Sequence, residues 1–243
     1  MPIYNEPGWV YNQPGRNYAG LINKDYNMGM SVVEIPWGSG DTRLKTGRLL
    51  VVSFIKLKDT TDGMLASVAV GEKSAINEWT QWQVFGEVIP EQVPTLVRLD
   101  SGKSLVFYHT GTNPYNLKYR MIEKDGVVCD GIGKGAAEVG VLSNVTDKHF
   151  SITLHWASQV FYLISWDPNN GQLMYRHMHY DGNSFVNISN KVAVSSLTVR
   201  SGEKPSIGLQ EQKPACFLDA QHNLCIAWWQ DNLVKFNQFQ GLS

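Results

Sequence analysis

Hydrophobic positions along the chain fall in short runs separated by polar, glycine-bearing turns. The longest apolar runs, such as Leu49–Val52 and Val160–Ile164, have the length of a strand. No segment keeps a period of 3.6 residues long enough to argue for a helix. Two stretches recur. Leu117-Lys118-Tyr119-Arg120 is followed by Asp125-Gly126, and Leu173-Met174-Tyr175-Arg176 by Asp181-Gly182, 56 residues further on. Leu99-Asp100, four residues and Leu105 match Leu218-Asp219, four residues and Leu224. Asp-Gly marks a hairpin turn, because such turns need positive φ, which Gly adopts freely and Asp tolerates.

The two matches define a unit of four strands. Laid along the chain, it predicts strands at Met30–Ile35, Leu49–Leu57, Met64–Val70 and Trp79–Val88, then Thr95–Leu99, Leu105–His109, Leu117–Glu123 and Val127–Asp130. A third copy covers Phe150–Trp156, Val160–Trp166, Leu173–Tyr180 and Ser184–Lys191. The fourth has only Ala215–Leu218, Leu224–Trp229 and Leu233–Gln240. Residues 131–149 and 195–213 read as connections. The missing strand of the last copy is expected from the N-terminal segment around Gly8-Trp9-Val10-Tyr11, which would close a ring. The expected fold is therefore all-β: a single four-bladed β-propeller over residues 1–243, with five blades as the alternative if residues 12–47 hold extra strands. A β-sandwich is the competing architecture.

The blade pattern of apolar strand, L-x-Y-R, D-G and a further apolar strand resembles the blades of sialidase-like propellers over about residues 94–241. That resemblance implies relatives among glycan hydrolases, lectins, and phage tail and adhesion proteins. The family's S-x-D-x-G-x-x-W box is not carried over: Ser165-Trp166-Asp167 fits, but Gly171 falls two positions late.

Composition narrows the function. The chain has 243 residues, a formal charge of −1 and 18% charged residues, which argues against a nucleic-acid-binding surface. Met1–Pro7 lacks the basic and apolar regions of a signal peptide, and no apolar run is long enough for a membrane helix; the location is otherwise left open, with synthesis in a cytoplasm or a place in a virion both compatible. The three cysteines, Cys129, Cys216 and Cys225, are read as buried thiols, although Cys216 and Cys225 flank one hairpin turn and could face each other.

Catalytic patterns are sparse. Asp100, Asp167, Asp181 and Asp219 would be carboxylates for glycoside hydrolysis, but all fall in expected turns. His177 and His179 share a strand face without an evident third metal ligand. Neither a cofactor nor a metal is expected. Tyr119, Arg120, Tyr175 and Arg176 hold equivalent repeat positions, and adjacent Trp228 and Trp229 must point to opposite faces of a strand. These six are the candidate ligand-binding residues. The expected function is a non-catalytic binding or assembly module for a protein surface or a glycan, such as a phage tail component or adhesin. A free lectin and a divergent glycan hydrolase are the alternatives.

Overall fold

The computed structural model describes residues 30–35, 48–55, 63–70, 78–79, 83–85, 95–99, 101–110, 116–122, 140–141, 149–182, 184–210 and 213–240. Among them are eighteen β-strands, a short 3-10 turn at Val194–Ser196 and no α-helix. The strands build four antiparallel sheets, so the chain is all-β. It divides into two compact units, Met1–Ser143 and Asn144–Ser243, with two sheets each.

In the first unit, β1 (Met30–Ile35), β2 (Arg48–Ile55) and β3 (Gly63–Val70) form a meander. Two short strands, β4 (Glu78–Trp79) and β5 (Gln83–Phe85), both pair with β3. The second sheet runs β6 (Thr95–Arg98), β7 (Ser104–Thr110), β8 (Asn116–Ile122) and β9 (Gly140–Val141). Its last strand comes from the expected connection, pairing Lys118 with Val141; the expected strand Val127–Asp130 lies outside the described residues. β1 lies beside β6.

In the second unit, β10 (Phe150–His155), β11 (Val160–Asp167) and β12 (Gln172–Tyr180) form the third meander. Where one strand was expected over Ser184–Lys191, two short ones pair with β12: β13 (Phe185–Val186) and β14 (Val192–Ala193). The break falls where Asn187 takes a φ of 50°. Ser189 covers the gap. Its N–H donates to the His177 carbonyl at 2.9 Å, and its hydroxyl accepts from the His177 N–H at 2.9 Å. The backbone groups that a continuous strand would have paired are thereby satisfied.

The fourth sheet has the order β15 (Val199–Ser201), β18 (Leu233–Phe239), β17 (Leu224–Gln230) and β16 (Ala215–Leu218). Its fourth strand thus precedes the other three in sequence and lies in the stretch read as a connection. The free edge of β18 is taken by Val199 opposite Phe239, and the Gln240 N–H donates to Thr198 at 3.0 Å. This corrects the expectation that the N-terminal segment fills that place; Gly8–Tyr11 lies outside the described residues. Gly202 ends β15 at a φ of 87°, and a methyl group there would overlap the Asn237 carboxamide.

The core of this unit lies between its two sheets. Tyr162, Ile164, Leu173 and Tyr175 of the third sheet meet Leu224, Ile226, Trp228 and Phe239 of the fourth, with Val194, Leu197 and Leu209 filling in from the connection. β10 runs beside β16, where the Ser151 hydroxyl accepts the Cys216 N–H at 3.0 Å. β11 is apolar along its length because both of its faces are buried: Phe161 and Leu163 point one way, Tyr162 and Ile164 the other.

Candidate functional site

The ladders let the sheets be superposed residue by residue. Tyr119 sits opposite Phe107, which sits opposite Thr95. Tyr175 sits opposite Ile164, which sits opposite Ser151. Each Tyr also stands three residues from the last pair of its hairpin, Thr110 with Asn116 or Asp167 with Gln172, so the L-x-Y-R match is a structural equivalence. The second match is not. In both sheets five residues separate the paired ends, Arg98 from Ser104 and Leu218 from Leu224. Leu99 N–H donates to Lys103 and Gly102 N–H to Leu99; Asp219 N–H donates to Asn223 and His222 N–H to Asp219. Leu99 is thus equivalent to Asp219, one position out of phase with the sequence match. The positive φ that Gly102 supplies falls on His222 in the last sheet.

By the same ladders, Phe236 and Asn237 take the places of Tyr119-Arg120 and Tyr175-Arg176. Arg120 is only 6% exposed and donates from Nε to the Tyr108 hydroxyl at 2.9 Å, a diagonal cross-strand contact. Arg176, at 8%, is buried too. Tyr119 packs on Phe107, and Tyr175 stacks on Tyr162 at 6.0 Å between ring centres. Burial pushes both the Tyr162 and Tyr175 phenols up from their ordinary pKa, with Tyr162 adding to the rise at Tyr175. Trp228 is 2% exposed and belongs to the core. Trp229, its neighbour, points to the opposite face and is 50% exposed. Of the six candidates, only Trp229 presents its side chain to solvent.

Around Trp229 the last sheet carries the most exposed apolar surface of this unit. Ala215, Phe217, Ala227, Trp229, Val234 and Phe236 share the outer face, with Phe217 and Phe236 stacked at 6.0 Å. Val234 is 70% exposed, and Phe217 and Phe236 are about half exposed. No charged side chain stands among these six. Their period-2 spacing on β16 and β18 was the available signal for this face.

Beside Trp229 opens a pocket of about 320 Å³. One wall is a loop: Ser206, Gly208, Leu209 and Gln210. The other is the end of the β17–β18 hairpin: Trp229, Gln230, Asp231 and Asn232. Asp231 and Asn232 have φ of 53° and 59°, a two-residue turn of the type that Asp and Asn tolerate. Gln230 ties the walls together. Its Oε1 accepts the Trp228 indole N–H at 2.9 Å and the Ser206 N–H at 3.4 Å, and its Nε2 donates to Asp231 at 3.3 Å. The loop is held from behind at Gly171, whose carbonyl accepts the Leu209 N–H at 2.8 Å. Gly171 has a φ of 60°, and a Cβ there would lie 2.7 Å from the Leu209 oxygen. The Asp231-Asn232 step between two apolar runs was the sequence signal for this hairpin.

The remaining candidates have structural surroundings. Asp167 accepts the Asn169 N–H and pairs with Lys191 at 3.5 Å; Asp181 accepts the Ser184 N–H. Asp219 accepts from the N–H groups of Gln221 and Asn223 and from the amides of Asn223 and Gln238. The Asn223 amide bond is the main reason its carboxyl lies below the ordinary range. Asp100 lies outside the described residues. Cys216 and Cys225 are free thiols one ladder step apart, Cys216 opposite Ile226 and Cys225 opposite Phe217, so they point to opposite faces. Burial pushes the Cys216 thiol up to about 12, partly offset by its bond to Ser151. His177 hydrogen-bonds Tyr175 at 3.4 Å, and among the described residues no group of three or more His, Cys, Asp or Glu converges as metal ligands would. Nor, among them, is any helix long and apolar enough to cross a membrane.

No protein-family model matches the chain, and no curated protein sequence matches it.

Proposed function

We propose that the chain is a non-catalytic binding module that docks a partner protein through the outer face of its last sheet. The observation behind this reading is the uncharged surface formed by Phe217, Trp229, Val234 and Phe236. With about half or more of each residue exposed, it amounts to a few hundred Å², roughly the size of patch that marks interaction sites. Half-exposed stacked aromatic rings suit a partner whose own contact surface is apolar, and they offer a phosphate backbone no cation. An assembly role of the tail or adhesin kind follows the same logic.

A second reading makes the four sheets the blades of a four-bladed propeller. A closed ring would cover the outer face of the last sheet, so this reading competes with docking there. Support comes from the fourfold repetition of one antiparallel meander and from the shared ladder register of the second, third and fourth sheets. Within each unit, the first strand of one sheet also lies beside the first strand of the next, as blades around an axis require.

Site-specific photo-crosslinking in the cells that make the protein tests the docking reading. Crosslinkers at Phe217 and Phe236 are expected to capture one common partner, and Val234→Asp to abolish both adducts, while a crosslinker at exposed Ser158 captures none of it. Adducts only between copies of the chain, or identical adducts at all three positions, overturn the proposal.

A further inference from the structure

We propose that the pocket between the loop at 206–210 and the β17–β18 hairpin is a binding site for a neutral saccharide. Its chemistry is that of a sugar site rather than of an ion or an apolar ligand. A pyranose has one face of C–H groups and a rim of hydroxyls. Here one wall offers the half-exposed indole of Trp229, an apolar plate for the C–H face. The carboxamides of Gln210 and Asn232 and the carboxylate of Asp231 supply donors and acceptors for the hydroxyls. The lining contains no Lys, Arg or His, and its one ionisable group is an acid, which disfavours an anionic ligand such as a phosphate or an acidic sugar. The volume, about 320 Å³, is at the small end of ligand sites and suits roughly one or two sugar rings.

The walls are also set in advance. Gln230 joins hairpin, loop and the buried Trp228 through three hydrogen bonds, and Gly171 anchors the loop through Leu209. A ligand would therefore not have to order the site as it binds, which lowers the cost of association. This inference is separate from the docking reading. The pocket lies at the hairpin end, while the stacked Phe217–Phe236 pair lies on the outer face, and Trp229 borders both.

The test is a titration of the purified full chain with maltose, lactose, N,N′-diacetylchitobiose and 3′-sialyllactose, followed by tryptophan fluorescence and by saturation-transfer NMR. At least one neutral disaccharide is expected to saturate a single site per chain and to perturb tryptophan emission. Trp229→Ala and Asn232→Gly should each weaken that binding at least tenfold. Asn232→Gly keeps the positive-φ turn, so it removes the amide without refolding the hairpin. Phe217→Ser with Phe236→Ser should leave sugar binding unchanged, which separates this site from the docking face. Absence of binding by all three neutral sugars, preference for the sialylated probe, or binding untouched by both pocket variants overturns the proposal.

Discussion

The third and fourth sheets are built on the same three-strand ladder and used differently. In the third, both faces of the central strand are buried, and the third strand carries Tyr175-Arg176 into the interior. In the fourth, the equivalent pair is Phe236-Asn237; the face toward the third sheet is buried, while the other face leaves Phe217, Trp229, Val234 and Phe236 about half exposed or more. Asn237 is turned inward, its Nδ2 donating no hydrogen bond among the described residues, while Phe236 stands half exposed beside Phe217. The same ladder position therefore serves packing in one sheet and surface in the next. A repeated motif locates equivalent positions; burial decides what each of them does.

The largest expected effect lies on the shared face. Phe239→Ala removes a fully buried ring from the core between the two sheets and should cost about 3–5 kcal/mol, read as a lower denaturant midpoint. A loss below ~1 kcal/mol would mean that the two sheets do not pack through this core. Arg120→Ala is the counterpart in the second sheet. It leaves the Tyr108 hydroxyl without its guanidinium donor and should cost ~2–3 kcal/mol, with Tyr108→Phe sharing part of the loss in a double-mutant cycle.

Much of this was legible beforehand, and the misses have physical causes. The apolar strands were found because period and turn chemistry mark them: Met30–Ile35 and Ala215–Leu218 agree to the residue. The L-x-Y-R match held because both copies place an aromatic ring and a buried arginine at the same ladder step. The L-D match slipped by one residue because its Leu and Asp serve different ends. Leu99 is a buried turn residue, whereas Asp219, in the same place, gathers four donors. The fourth strand of the last sheet was missed because Val199–Ser201 is too short to stand out from a polar connection, and pairing with β18 is what makes it a strand. The burial of the candidate pairs Tyr119-Arg120 and Tyr175-Arg176 was not legible, because a side chain's exposure in a two-sided sheet depends on what covers it, which pattern alone does not reveal. Trp228 and Trp229 diverge, one into the core and one to solvent, as adjacent residues on a strand must.

Gly171→Ala sharpens the comparison where the β11–β12 turn of the third sheet holds the 206–210 loop of the fourth. The new methyl meets the Leu209 carbonyl in a backbone already at positive φ, so a loss of ~1–3 kcal/mol is expected. The hydrogen bond that positions the pocket wall should loosen with it, and amide exchange at Leu209 would report this directly. Unchanged stability together with unchanged protection at Leu209 would show that the loop is held elsewhere.

A smaller effect depends on pH. Asp219 has its carboxyl held down by the Asn223 amide and its other donors, so its bonds stabilise the fold above the unfolded carboxylate range. That stability is lost as pH falls from about 4 through the depressed folded value. Asp219→Asn should therefore be less stable than the parent at neutral pH and converge with it in acid. Parallel stability curves across that range would remove the carboxylate from the account.

The smallest effect on stability should come from the outer face, and this is the sharpest contrast of all. Replacing both Phe217 and Phe236 by Ser removes as many rings as two core deletions would, yet these rings are already half in water. Stability should fall by no more than about 0.5 kcal/mol per position, as for other surface changes. Residues that contribute so little to folding, while costing solubility, have to be explained by what they contact outside the sheet. A loss of several kcal/mol in the double variant would mean that the face is covered within the folded chain, and the docking reading would fall with it.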